Sequence, residues 1–475
     1  MLPPVRNTVL SLALAAWAAL ASCASAARPI GPGPALEEAA VIKEIRYKGI
    51  YIDEAPFEGH CKADGMAPNY AQGLRLSRNR WMVMYDTVDR RGFDVWTGVF
   101  YQVRADAPDG RVLINGIIAA PDPVGGPVNG TRLFMQCGQP ALFGVPKGAH
   151  IDGKVPEQAN VFAATWLKGP VLHYGGLVDR AHTNILSEQG WTQEQIAAVR
   201  PLIRGGRQVM HFRLNDAGDD IEILTKPKPI EQEGFPGGRG YGWAQPIRDN
   251  ADGTRWLEAV QIDGGIAVTA YEYDPTKREF RWTRTGVVTP LPTTNAGEPS
   301  LVKLHENDYV ILVRGFSADG NSFWYRTPDP FASFGQPAMA PDTVGQRYAW
   351  LCPDGVLRLF MNRQRGNPYG DRRNPLYCWD VDPADFSYSD TRIVADVRAK
   401  AMDPRMVPLK VPFVDHCHLF DCTGDRQVIT FRAIAARQVA RTAESPEMTG
   451  EDWKKGGVHH AEIVYEGNPP AGWTF

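Results

Sequence analysis

The sequence predicts an all-β fold: a β-propeller of seven four-stranded antiparallel blades, with six blades as the alternative. Three observations carry this. Turn-formers and aromatics are both abundant, with 47 Gly and 38 Pro beside 13 Trp, 16 Tyr and 19 Phe in 475 residues, as in chains of short strands joined by tight loops. Runs of branched and aromatic residues recur behind similar polar turns. Helical periodicity is thin: only Thr192–Leu202, with Thr192 as an N-cap, reads as a short helix, carried in a loop insertion.

In chain order, Arg6 precedes an apolar run from Val9 to Ala21, which suits the core of a secretory signal and is short for a membrane span. Residues 1–27 are therefore read as a signal peptide and 28–475 as one propeller domain. Two processing readings stand side by side. Leu20-Ala21-Ser22-Cys23 resembles a lipobox that would anchor the chain by a lipid on Cys23, and Ala24-Ser25-Ala26 is an A-x-A cleavage site. The expected location is the periplasm, the outer-membrane surface or the exterior, and the expected state is a monomer. No later stretch reaches the ~18 consecutive apolar residues of a spanning helix. The remaining Cys61, Cys137, Cys352, Cys378, Cys417 and Cys422 permit disulfides without demanding them, Cys417 and Cys422 being near enough to close a small loop.

From residue 70 the strand-like runs are Gly73–Tyr85, Val99–Arg104, Gln208–Leu214, Arg255–Ile262, Gly265–Tyr273, Tyr309–Arg314, Ser322–Arg326, Val356–Asn362, Leu376–Val381, Gln427–Ala433 and Ala461–Tyr465. Polar turns open several of them, among them Asp252-Gly253-Thr254, Glu306-Asn307-Asp308, Asp354-Gly355 and Gly424-Asp425-Arg426. They recur at intervals of roughly 50 to 75 residues, and an interval of ~60 divides the mature chain into about seven units. Small sheets in fixed order cannot bury both faces alone; radial stacking gives them a core.

The formal net charge of -3 argues against a nucleic-acid surface. No G-x-S-x-G elbow, H-E-x-x-H helix, P-loop or strand-linked G-x-G-x-x-G is present, so esterase, zinc-protease and nucleotide chemistry lack support. No cofactor is expected. A propeller gathers loops at two channel mouths, so site residues should be scattered through the chain. His60, in Phe57-Glu58-Gly59-His60-Cys61, is a candidate acid/base, because imidazole titrates near neutrality; the alternative is a His that pins the N-terminal segment. Glu298 and Arg314 flank one strand and would bring an acid and a guanidinium together, with Tyr325 joining them, or would pair as an inter-blade clamp. Arg363 precedes a Gly-rich basic loop, while His211 and Arg213 alternate onto one strand face. His416 belongs to Asp415-His416-Cys417-His418, which lacks the paired spacing of structural zinc sites; no metal is assigned. Tyr241-Gly242-Trp243 reads as an aromatic loop for a glycan-binding surface.

Gly297-Glu298-Pro299-Ser300-Leu301-Val302-Lys303-Leu304 followed by Tyr309-Val310-Ile311-Leu312-Val313-Arg314 resembles a blade of the sialidase-like propeller superfamily, and Asn374-Pro375-Leu376-Tyr377 with Trp379-Asp380 is similar to the strand that follows. The Phe-Arg-Ile-Pro motif and an intact S-x-D-x-G-x-x-W box of true sialidases are missing. Within the superfamily the chain looks more like the proteins acting on L-rhamnose linked α-1,4 to D-glucuronate, glycoside hydrolase family 145 and polysaccharide lyase family 42. That resemblance implies an acidic oligo- or polysaccharide as partner, a catalytic role for His60, and Arg213, Arg314 and Arg363 as carboxylate binders. Hydrolysis would draw on Glu298 with Asp86 as a carboxylate pair; β-elimination would draw on His60 to move a proton. A non-catalytic glycan-binding propeller and a carboxylate-based exo-glycosidase are the alternatives.

Overall fold

The computed structural model describes residues 41–475 apart from 90–94, 151–152, 175–176, 182, 204, 231–244, 263, 294–295, 316–320, 341–342, 364–372, 399–411, 436–455 and 468–474. The signal segment, Cys23 and Tyr241–Trp243 lie outside the described residues. No helix among them is long and apolar enough to cross a membrane.

The described residues form six antiparallel sheets, so the blade count is six, the alternative to seven that the sequence also allowed. Blade 1 runs through Met66–Ser77, Arg80–Asp89, Trp96–Ala105 and Val112–Ala119. Blade 2 is built on Arg132–Val145, Val161–Tyr174, Gly206–Leu214 and Ile221–Pro229, blade 3 on Ile247–Arg248, Arg255–Ile262, Gly265–Asp274 and Glu279–Thr285. Blade 4 takes Ala296–His305, Asp308–Gly315, Ser322–Thr327 and Ala338–Ala340; blade 5 takes Thr343–Leu351, Leu357–Arg363, Leu376–Val381 and Tyr388–Ala395. Blade 6 joins both ends of the domain: Val41–Ile52 pairs with Gly457–Glu466, outside Arg426–Ala435 and Pro412–Leu419. This pairing closes the ring and leaves no terminal sheet unmatched.

The count is six because blade 2 is oversized. Its second and third strands are separated by two short helices, α1 (Thr183–Glu188) and α2 (Gln193–Val199). Helix α2 starts at the expected Thr192, whose side chain accepts the Gln195 N–H at 3.2 Å. Dividing the length by ~60 turned this insertion into an extra blade. The run expected as Gly73–Tyr85 is two strands with a turn at Arg78-Asn79. The turns before strands are where they were expected, and Asn307 sits at φ 56 between two strands of blade 4, a left-handed position that Asn tolerates.

Apolar clusters lie between neighbouring sheets. Leu301, Ile311 and Tyr325 pack with Leu257 and Val268 between blades 3 and 4, while Val310, Leu312 and Trp324 pack with Leu359 and Trp379 between blades 4 and 5. Side chains alternate along each strand, so every sheet feeds two cores. Between blades 5 and 6 lie Cys352, Cys378, Cys417 and Cys422, all buried as free thiols. Cys61 and Cys137 are likewise free, and no Cys417–Cys422 bridge exists.

Candidate functional site

A recurring irregularity positions the site. The register between the innermost strand and its neighbour slips between Pro68 and Ala71 in blade 1, Gly138 and Ala141 in blade 2, Gly297 and Ser300 in blade 4, Val344 and Tyr348 in blade 5, and Asp415 and His418 in blade 6. Each slip is a β-bulge near the same end of an inner strand. Gln139, Glu298 and His416 adopt φ of 52, 53 and 54 there, a strained conformation for residues with a side chain and one that concentrates at functional sites.

Two of these bulges share a short sequence, Gly138-Gln139-Pro140 and Gly297-Glu298-Pro299. The glycines are demanded by close approach: a Cβ on Gly138 would lie 2.3 Å from the Trp96 ring, and one on Gly297 would lie 2.3 Å from Gln261 Oε1. Neighbouring blades also catch the bulge backbone. Asp86 of blade 1 accepts the Gln139 N–H of blade 2 at 2.7 Å, and Gln261 of blade 3 accepts the Glu298 N–H of blade 4 at 3.3 Å.

Because each second strand runs antiparallel to the inner one, its C-terminal end lies beside the bulge. Arg314, Arg363 and Arg432 are carried to this mouth in that way. Arg314 donates to the Glu298 carboxylate, and both side chains keep some exposure, 14% and 23%. Asp415 accepts from Arg432 Nε and Arg373 Nη1, each at 2.7 Å, and Arg432 also donates to Asn69 Oδ1 at 2.6 Å. Asn69 in turn donates to Asp86 at 3.0 Å. Arg347 donates to the Gly315 carbonyl at 3.2 Å; burial pulls its guanidinium down to about 9, with Arg314 adding to the effect.

His416 lies within reach of this charge. Burial, then Arg432, and also Arg373 and Arg314, hold its imidazole well below its ordinary value, against an opposing pull from Asp415. It meets Tyr70 edge-on at 5.7 Å. Burial drives Asp415 upward, but the Arg432 and Arg373 guanidinium groups outweigh it and leave the carboxyl well below the carboxylate range. Arg373 and Arg432, from blades 5 and 6, thus meet on Asp415 next to a neutral imidazole, while Arg314 of blade 4 pairs with the partly exposed Glu298.

The structure brings Glu298, Arg314 and His416 together. Asp86 is adjacent but sealed: it is 0% exposed, accepts from Asn69, the Tyr70 N–H and the Gln139 N–H, and is pushed up to about 6 by burial. It holds two bulges in place and has no surface for a second catalytic carboxylate. His60 lies in the segment leading into the inner strand of blade 1, edge-on to Phe100 at 5.1 Å, with a buried Nδ1 that has no hydrogen-bond partner among the described residues. Burial lowers its pKa, against a raising influence from Asp64.

Three expected binding residues sit elsewhere. His211 is fully buried between blades 2 and 3, bonded to Thr225 Oγ1 at 2.9 Å and to the Phe280 backbone; it clamps the sheets because both ring nitrogens are used. Arg213 pairs with Glu222 on the outer strands of blade 2. Tyr325 packs against Phe334 in the core between blades 3 and 4 and does not join Glu298 and Arg314. Arg363 is exposed at the mouth, beside residues that are not described. Sequence reading missed Asn69, Gln139, Arg347, Arg373 and Arg432 as members of the mouth; the repeated Gly-Gln/Glu-Pro was the available signal.

No protein family matches the sequence, and no curated protein does. Among solved structures, a protein of unknown function from Dyadobacter fermentans is similar over 90% of this chain and 100% of its own, at 10% identity and TM-score 0.53. The NanB sialidase of Streptococcus pneumoniae aligns over 89% of this chain and 70% of its own at 11% identity and TM-score 0.44. The α-L-arabinofuranosidase arb93a of Fusarium graminearum aligns over 90% and 98% at 10% identity and TM-score 0.43. At such identities the Dyadobacter protein is a relative in fold alone, and its likeness agrees with the ring of sheets described above.

Proposed function

We propose that this chain is an exported carbohydrate-active propeller that receives a carboxylate-bearing glycan at the bulged mouth and cleaves a terminal sugar there. One observation carries the reading: the partly exposed Glu298–Arg314 pair shares the bulged mouth with Arg373 and Arg432, which meet on Asp415 next to His416. Arg314 and Arg373, whose side chains keep 14% and 15% exposure, hold the substrate carboxylate, Arg432 supports them from beneath, and Glu298 exchanges the proton. A pair of open carboxylates, as ordinary glycosidases use, is not available from Glu298 and Asp86, because Asp86 is sealed. Proton traffic therefore falls to Glu298 with a histidine, and the sequence resemblance nominates His60, whose ring is partly exposed. The finer reading, L-rhamnose removed from a D-glucuronate, rests on the sequence resemblance.

Purified protein is expected to release rhamnose from a rhamnose-capped acidic glycan, detected by mass spectrometry. Ultraviolet absorbance from an unsaturated uronate would select β-elimination over hydrolysis. His60→Ala is expected to stop release while the thermal midpoint holds, and full activity in that variant would remove His60 from the mechanism. The sealing of Asp86 also favours a second reading, a glycan-binding propeller without catalysis; saturable binding without product across a broad glycan panel would select it.

A further inference from the structure

The bulge of blade 2 repeats that of blade 4 with its charges removed. Gly138-Gln139-Pro140 and Gly297-Glu298-Pro299 share a slipped register, a glycine too closely packed for a Cβ, and a middle residue at left-handed φ, 52 and 53. In blade 4 the residue opposite the glycine on the second strand is Arg314, which donates to Glu298. In blade 2 the residue at that register position, opposite Gly138, is Leu167. Carboxylate and guanidinium are therefore replaced together, by an amide and an apolar side chain, on one shared backbone device.

Gln139 has the chemistry of a contact residue. Its backbone N–H is given to Asp86, whereas its side-chain amide makes no hydrogen bond among the described residues, and neither amide atom is sealed from solvent. The residue keeps 8% exposure and Leu167 keeps 7%. An amide held by a strained backbone and left without a protein partner offers a donor and an acceptor to whatever enters the mouth. The cations beside it are already answered: Arg207, opposite Leu167 on the third strand, is buried and donates to Glu258, and Lys168 donates to Asp122 at 2.6 Å. In blades 4, 5 and 6 the second strand instead brings Arg314, Arg363 and Arg432 to this end. The mouth is thus polarised, cationic over blades 4 to 6 and neutral over blade 2. A carboxylate is drawn to the first side, and hydroxyl groups, which an amide can both donate to and accept from, suit the second.

We infer that Gln139 is the specificity-determining contact for the uncharged end of the substrate: its amide binds hydroxyl groups of the sugar that is released, Leu167 lies against that sugar, and the carboxylate-bearing residue occupies the arginine side. The inference rests on the reading of the mouth as a carboxylate-glycan site and adds the direction in which the glycan crosses it. A glutamate at 139 would lose the amide donor and set a carboxylate where Leu167, and no guanidinium, faces it, so Gln139→Glu probes the same contact at nearly constant side-chain size.

Kinetics with two ligands test it. Gln139→Ala and Gln139→Glu are each expected to lower kcat/KM for release from a rhamnose-capped acidic glycan by at least about tenfold, as the loss of one or two hydrogen bonds would. In Gln139→Ala the inhibition constant of free D-glucuronate, which engages the arginine side alone, should stay within about twofold of the wild type; damage to the fold of the mouth would move both quantities. An equal loss in both, or none in either, would overturn the inference and leave the carboxylate site standing. If the wild type releases no sugar, the proposed cleavage fails, and hydrogen exchange on the wild-type protein then decides the inference separately, as it also does if a variant unfolds. The capped glycan should protect 138–141 and 166–168, and D-glucuronate should not. Protection of neither segment by the capped glycan, or of both by D-glucuronate, would overturn the inference.

Discussion

The two halves of the inner strands differ in kind. At the bulged end, Gln139, Glu298 and His416 hold left-handed φ, and charged side chains from three blades share one network. In the other half the lining is Leu142, Leu301, Val302, Ala349 and Leu351 with a few polar groups between. Strain and buried charge are tolerated in a fold when the surroundings over-determine them, and they concentrate where function needs them. The contrast is the ground on which the proposed chemistry is placed at the bulged mouth, with the opposite half given to packing.

The contrast breaks most visibly if the charge network is cut. Arg432→Leu leaves Asp415 buried with Arg373 as its remaining guanidinium, and a loss of about 3–5 kcal/mol is expected, read from urea unfolding. A loss below ~1 kcal/mol would mean that the network contributes little to holding the mouth. Leu301→Ala in the regular half should cost about 2–4 kcal/mol through cavity formation alone and leave glycan release unchanged.

Acid should act next. His211 and His418, each held down to about 4 by burial, and His416, held well below its ordinary value, are neutral in the folded protein. The unfolded chain takes up their protons first, near pH 6.5, so the stability they contribute is present above that pH and is lost as pH falls towards about 4. Asp86 works in the opposite sense: its folded value of about 6 exceeds an unfolded value of about 3.9, so it favours the fold more as pH drops through that window. Three histidines outweigh one carboxyl, and the thermal midpoint is expected to fall between pH 6.5 and 4.5. Asp86→Asn should make that fall steeper, because it removes the opposing contribution. A flat profile in the wild type would contradict the assignment of neutral buried histidines.

The smallest effect on stability is expected at Glu298. Its side chain is partly exposed and pairs with a partly exposed Arg314, so Glu298→Gln should change stability by within about 1 kcal/mol.

The fold class was legible because turn residues such as Asp354-Gly355 and Asn307 fix where strands begin, and local chemistry decides turns. The blade number was not, since the helical insertion in blade 2 consumes length without adding a sheet. Glu298, Arg314 and His416 were found because they carry charge or a titratable ring in recognisable strand contexts. Arg432 was passed over because it reads as an ordinary strand residue until the ring places blade 6 beside blade 1. His211 and Tyr325 went the other way: residue type suggested a ligand contact, while tertiary packing turned one into a clamp and the other into core.

The most direct test of the proposed glycan-cleaving mouth is the initial rate of sugar release from a rhamnose-capped acidic glycan by the wild type and by Glu298→Gln, compared at matched thermal midpoints. The account predicts a loss of at least about 100-fold in the variant. An undiminished rate in folded Glu298→Gln would contradict it.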